Sequence, residues 1–106
     1  MPEGPRLVVV NTTPIIALSL VGELGLLRSL YDEVVVPSAV EAEVLAGGRD
    51  GIGSSELIEA SWLRVASLQD ARRADVLADL DRGEAEVLAL AQELNADLVI
   101  IDERLA

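Results

Sequence analysis

The chain contains no cysteine, no histidine and no phenylalanine, and each absence excludes something. Without cysteine there is no disulfide, and without cysteine or histidine the usual zinc sites are ruled out. Any cation held here would be a hard one on oxygen ligands, meaning magnesium, manganese or calcium. With no phenylalanine, one tryptophan and one tyrosine, the core must be built from Leu, Val, Ile and Ala. Lysine is missing too: all 8 basic residues are arginine, against 19 acidic residues and a net charge of −11. Such a surface repels nucleic acid in general, because phosphate binding is led by Lys and Arg. Most of these acids read as a solvated surface that aids solubility. A function for any of them requires that a few converge on a cation or a basic partner. No apolar run free of charge reaches the roughly 18 residues of a membrane span. The N-terminus has no basic region ahead of its apolar run, so a cytoplasmic protein without a secretion signal is expected.

What is present alternates between strand and helix, over a length of 106 residues that fits a single domain, 1–106. "LVVVN" is a continuous apolar run of the kind buried on both faces of a parallel sheet. Thr13 follows as a plausible N-cap with Pro14 at the first helical position, and "IIALSLVGELGLLRSL" reads as two short helices broken near Gly22 and Gly25. "EVVVP", Glu33 to Pro37, is a second buried strand, and "SAVEAEVLAGG" a helix ending at Gly47-Gly48. A helix from Ser54 leads to a short strand within "WLRVASL". Two helices meeting near Asp81-Arg82-Gly83 precede the last strand, "DLVIID", Asp97 to Asp102. This order predicts a parallel α/β sheet, whose ligands bind beyond the carboxyl ends of the strands. Asn11 and Asp102 stand at that end of buried runs.

Helix position separates a few acids from the rest. At ~100° per residue, Val87, Leu88, Leu90, Ala91 and Leu94 form one apolar arc. Glu84 falls inside it, while Glu86, Gln92 and Glu93 lie opposite. A carboxylate on the core side costs stability unless something pairs with it, although a first-turn acid is also favoured by the helix dipole. In the helix after Pro37, Ser38 and Glu41 fit a capping box, so Glu41 has a structural task. Glu43 has none, and projects to the side of Ala39, Val40 and Val44. Asn11, Glu43, Glu84 and Asp102 each sit at a strand end or near the start of a neighbouring helix, so all could face one pocket. Three carboxylates that close repel one another unless a divalent cation neutralises them.

Taken in order, "VVVNTTPIIAL", "VVVPSAVEAEVL", "DRGEAEVLALAQELNADLVIID" and "ERLA" resemble a PIN domain from Leu7 onward. More narrowly, they resemble the prokaryotic, VapC-toxin-like branch that opens on Asn-Thr-Ser/Thr-Pro. The resemblance implies a three-layer α/β/α fold with a parallel sheet of about four strands, the first and fourth adjacent. It also implies a ribonuclease dependent on Mg2+ or Mn2+, acting on single-stranded RNA, often as the toxin of a toxin–antitoxin pair. The family's acids match Asn11, Glu43, Glu84 and Asp102, which the resemblance makes both metal ligands and catalytic residues. Thr12, Arg82 and Arg104 are candidates for substrate binding, Thr12 by bonding either a phosphate oxygen or a ligating carboxylate. Family analogy suggests a homodimer and a basic antitoxin as partners.

Two features depart from the family pattern. Asn11 keeps a coordinating carbonyl oxygen but brings no negative charge, which lowers metal affinity relative to an aspartate. The family usually continues with a further strand and helices, whereas this sequence stops at Ala106, so that last strand and its helices are expected to be missing. The competing expectation is a PIN-like module of weak or no activity that binds a basic protein. A receiver-like phosphotransfer domain is disfavoured, because no paired acids follow the first strand and there is no lysine.

Overall fold

The computed structural model describes residues 6–47, 52–77, 80 and 82–101, with Arg82 described by its backbone alone. In chain order the elements are β1 (Leu7–Val10), α1 (Thr12–Leu20), α2 (Leu26–Leu30), β2 (Glu33–Pro37) and α3 (Ser38–Leu45). They continue as α4 (Ser54–Glu59), β3 (Leu63–Ala66), α5 (Arg72–Asp75), α6 (Arg82–Leu94) and β4 (Leu98–Ile100).

The four strands form one parallel sheet in the order β3-β2-β1-β4. The two valine runs occupy its centre, with Val9 opposite Val35 on one side and Val99 on the other. Val8, Val9, Val10, Val35 and Val36 are wholly buried, as expected of strands covered on both faces by helices. The edge strands are shorter or more open: Leu98 and Val99 of β4 remain 39% and 36% exposed. α6 packs across β1, β2 and β4, α2 against β2, and α3 against β2, β3, α1 and α6. This is the expected α/β fold with a parallel sheet flanked by helices.

Two acids fix the amino edge of the sheet. The Leu7 backbone N–H donates to Asp97 Oδ2 at 2.8 Å, and the Arg6 N–H to Asp32 Oδ2 at 2.7 Å. Each aspartate stands just before the strand beside β1, so its carboxylate extends the ladder by one bond where β1 begins. That use removes both from any account of a site at the opposite edge.

The sheet's carboxyl edge is where the helix caps differ from expectation. α1 begins at Thr12 with Asn11 as its N-cap residue, so Thr13 lies inside the first turn and caps nothing. Pro14 is tolerated there because the first turn's N–H groups have no partner within the helix. The capping box at Ser38 and Glu41 does not form either: Pro37 is the N-cap of α3, without a side-chain bond. Ser38 Oγ instead accepts a 2.9 Å bond from Ser67 Oγ, beyond the end of β3. Thr13 thus sits two residues, and Ser38 one residue, inside the helix from the cap position expected of it. The reading of Gly47 as a helix terminator holds, since Gly47 carries φ +79° just after Ala46.

Candidate functional site

β1, β2 and β4 run parallel, so their carboxyl ends share one rim of the sheet. α1 starts one residue beyond β1 and α3 directly after β2, which places both helix starts at that rim. α6 runs back over the sheet into β4, and so its first turn, carrying Glu84, belongs to the same end.

Asn11 joins this rim to β4. Its backbone N–H donates to the Ile100 carbonyl at 3.0 Å, continuing the β1–β4 ladder by one residue. The residue is buried, as is Thr12 beside it. Burial of two consecutive polar residues between two apolar runs answers to a polar neighbourhood. Part of that neighbourhood is Glu43: Thr12 Oγ1 donates to Glu43 Oε1 at 2.9 Å. Glu43 lies in the second turn of α3, exposed, between buried Val40 and Val44. Its carboxylate therefore reaches across the packed α1 and α3 to the first turn of α1, where the helix dipole favours negative charge.

Glu84 is half-buried in the first turn of α6, beside buried Ala85 and Val87. The structure thus carries Asn11, Thr12, Glu43 and Glu84 at one end of the sheet, and joins Thr12 directly to Glu43. Asp102 and Arg104 lie outside the described residues, as does the side chain of Arg82. Among the described residues there is no group of three acidic side chains that could hold a metal ion. The donor chemistry nevertheless fits a hard cation, since Asn11, Glu43 and Glu84 offer only carboxylate and amide oxygens. Trp62 is half-buried and packs against the main core cluster, as a core residue rather than a stacking surface.

One acid with defined partners was missed from sequence. Glu93 accepts bonds from the backbone N–H groups of Gln69 and Asp70 at 2.8 and 3.0 Å, and pairs with Arg73 at 3.3 Å. Those backbone bonds, the one from Gln69 foremost, hold its pKa below the ordinary glutamate value. By helical spacing it lies opposite the apolar arc that runs from Val87 to Leu94. The signal that could have found it is the spacing Ala85, Ala89, Glu93, four residues apart, because Ala85 and Ala89 are buried with Ala74 in a second small core cluster. Glu93 fixes the turn leading into α5 and takes no part in the rim.

A parallel α/β sheet with oxygen donors gathered at its carboxyl edge defines a class of protein in which that edge is the working end. The sequence matches the family model for the PIN domain over residues 7–106, and the chain belongs to that family. No curated protein and no solved structure matches it.

Proposed function

We propose that this PIN-domain protein is a divalent-metal-dependent ribonuclease that hydrolyses phosphodiester bonds of single-stranded RNA, using Mg2+ or Mn2+. PIN domains are commonly nucleases, and the observation that carries the finer reading is the bond between Thr12 and Glu43 at the sheet's carboxyl rim. It holds a candidate ligand carboxylate where the fold class places its sites. Glu43, Glu84 and Asp102 would hold the cation, with Asn11 as a neutral ligand through its side-chain carbonyl oxygen. The cation, when bound, supplies Lewis-acid chemistry, activating water at neutral pH and stabilising charge on the phosphate. The chain's own contribution is to orient these oxygens and to admit the RNA backbone, with Arg82 and Arg104 as its candidate phosphate contacts. The toxin role, the basic antitoxin and the homodimer are parts of the same proposal, as is a cytoplasmic site of action.

A second reading has one observation in its favour. Asn11 stands where an acid would add charge, and an uncharged ligand weakens cation binding. On that reading the domain is a catalytically weak module that binds a basic protein segment.

Calorimetric titration with Mn2+, run on the wild type and on Glu43→Gln, separates the two. The nuclease reading expects saturable binding that weakens at least tenfold in the variant, since a lost charged ligand is worth ~1.4 kcal/mol or more. It also expects manganese-dependent cleavage of single-stranded RNA that Asp102→Asn abolishes. Absence of binding in both proteins would rule it out in favour of the protein-binding module.

A further inference from the structure

We infer that Thr12 is a positioning residue, whose hydroxyl fixes the Glu43 carboxylate in one orientation at the rim of the sheet. The inference rests on the metal-site reading above, and it assigns Thr12 to the protein's own carboxylate rather than to the RNA phosphate. A threonine hydroxyl has a single proton to donate. Thr12 Oγ1 commits that proton to Glu43 Oε1 at 2.9 Å, so in this arrangement it has none to offer a phosphate.

The two partners are unequal in mobility, and this decides which one positions the other. Thr12 is buried in the first turn of α1, immediately after Asn11, whose N–H is tied to β4. Its β-branched side chain has few χ1 rotamers to choose from, and burial leaves the donor little room to move. Glu43 is exposed on α3, and a glutamate loses much rotamer freedom when it is fixed. Without an anchor its carboxylate would sample several rotamers, and a cation would have to select one on binding. A charge-assisted bond from an immobile hydroxyl makes that selection beforehand. The bond occupies Oε1, and orients the carboxylate so that its second oxygen has a defined direction. Among the described residues, the adjacent Thr13, one position further round the helix, makes no such bond.

The test compares wild type, Thr12→Ser, Thr12→Val and Glu43→Gln by two measurements. The first needs no metal: three-bond couplings across the Glu43 Cα–Cβ bond, read by nuclear magnetic resonance, report whether one rotamer or several are populated. One rotamer is expected in wild type and Thr12→Ser, and averaged couplings in Thr12→Val, which keeps the shape but lacks the hydroxyl. The second is the manganese titration, where Thr12→Val is expected to bind about five- to tenfold more weakly and Thr12→Ser nearly as wild type. Averaged couplings in the wild type would overturn the inference, whether or not Thr12→Val folds. So would an unchanged manganese affinity in Thr12→Val, or a Thr12→Ser protein as impaired as Thr12→Val. Wild-type binding that Glu43→Gln leaves intact would instead sink the metal-site reading. The couplings would then judge the Thr12 anchor on their own.

Discussion

At the scale of single residues, Glu93 shows how a carboxylate can be held chiefly by the backbone around it, with Arg73 beside it. Its two oxygens receive the N–H groups of Gln69 and Asp70, and its side chain is only 10% exposed. These bonds exist for the charged form, so the folded pKa lies below the unfolded one. The sign of the consequence follows. The stabilisation is present above the unfolded glutamate pKa of about 4.3, and is lost as pH falls through the lower folded value. Glu93→Gln should therefore lower the melting temperature at pH 7, where the wild-type carboxylate is ionised. Its deficit relative to wild type should narrow once the pH drops below about 4. Thermal melts of both proteins across an acid series would show this. A deficit that stays constant to the lowest pH would mean that shape, not charge, holds the turn before α5.

Glu43 presents the opposite case. Among the described residues its carboxylate accepts one bond, from the Thr12 hydroxyl, and its position is exposed. A carboxylate at the start of α1 gains from the helix dipole even without a cation.

At the scale of elements, α6 explains both what the sequence disclosed and what it concealed. The arc of Val87, Leu90 and Leu94 was legible, because large apolar residues at helical spacing leave a strong signal. Val87 and Leu90 are indeed buried against the sheet. The second buried face was not legible: Ala85 and Ala89 carry little hydrophobic contrast, yet they let α5 approach closely. The strands gave the clearest reading, since β-branched runs flanked by polar residues fixed β2 at Glu33–Pro37 without error. Caps gave the poorest: Asn11 and Pro37 occupy the positions expected of Thr13 and Ser38. Thr12 and Ser38 turned their hydroxyls to partners 31 and 29 residues away, and no local rule anticipates a tertiary partner. The same limit applies to the site. Position beyond a strand singled out Asn11 and helix face singled out Glu43, whereas the bond that joins Thr12 to Glu43 depends on how α1 packs on α3.

The two faces of α6 also differ in what a truncation would cost. Leu90 is wholly buried in the main core, and Leu90→Ala removes a large side chain from a site closed by β-strands on one side. The expected loss is about 2–5 kcal/mol, measurable by urea unfolding. A loss below about 1 kcal/mol would mean that α6 can settle inward to refill the space.

At the scale of the whole molecule, the dominant fact is a net charge of −11 on 106 residues. Self-repulsion of this kind destabilises the compact state, and salt relieves it. Against it stand ion pairs that salt would weaken. Those found among the described residues, Arg64–Glu33, Arg72–Asp70 and Arg73–Glu93, are largely exposed on at least one side. Exposed pairs contribute little, so repulsion should win. Raising sodium chloride from about 0.01 M to about 0.15 M shortens the screening length from ~30 Å to ~8 Å. The melting temperature is expected to rise by a few degrees, about what ~1 kcal/mol achieves in a domain of this size. Glu43→Gln should respond to sodium chloride almost as the wild type does, because one charge in eleven hardly changes the total. Magnesium chloride at matched ionic strength distinguishes screening from a site. It should raise the wild-type melting temperature beyond the sodium value, and by clearly less in Glu43→Gln. If both proteins gain equally from magnesium, the cation is acting on the diffuse acidic surface. A fall in melting temperature with sodium chloride would show that the ion pairs outweigh the repulsion, and that the acids are more locally compensated than their number suggests.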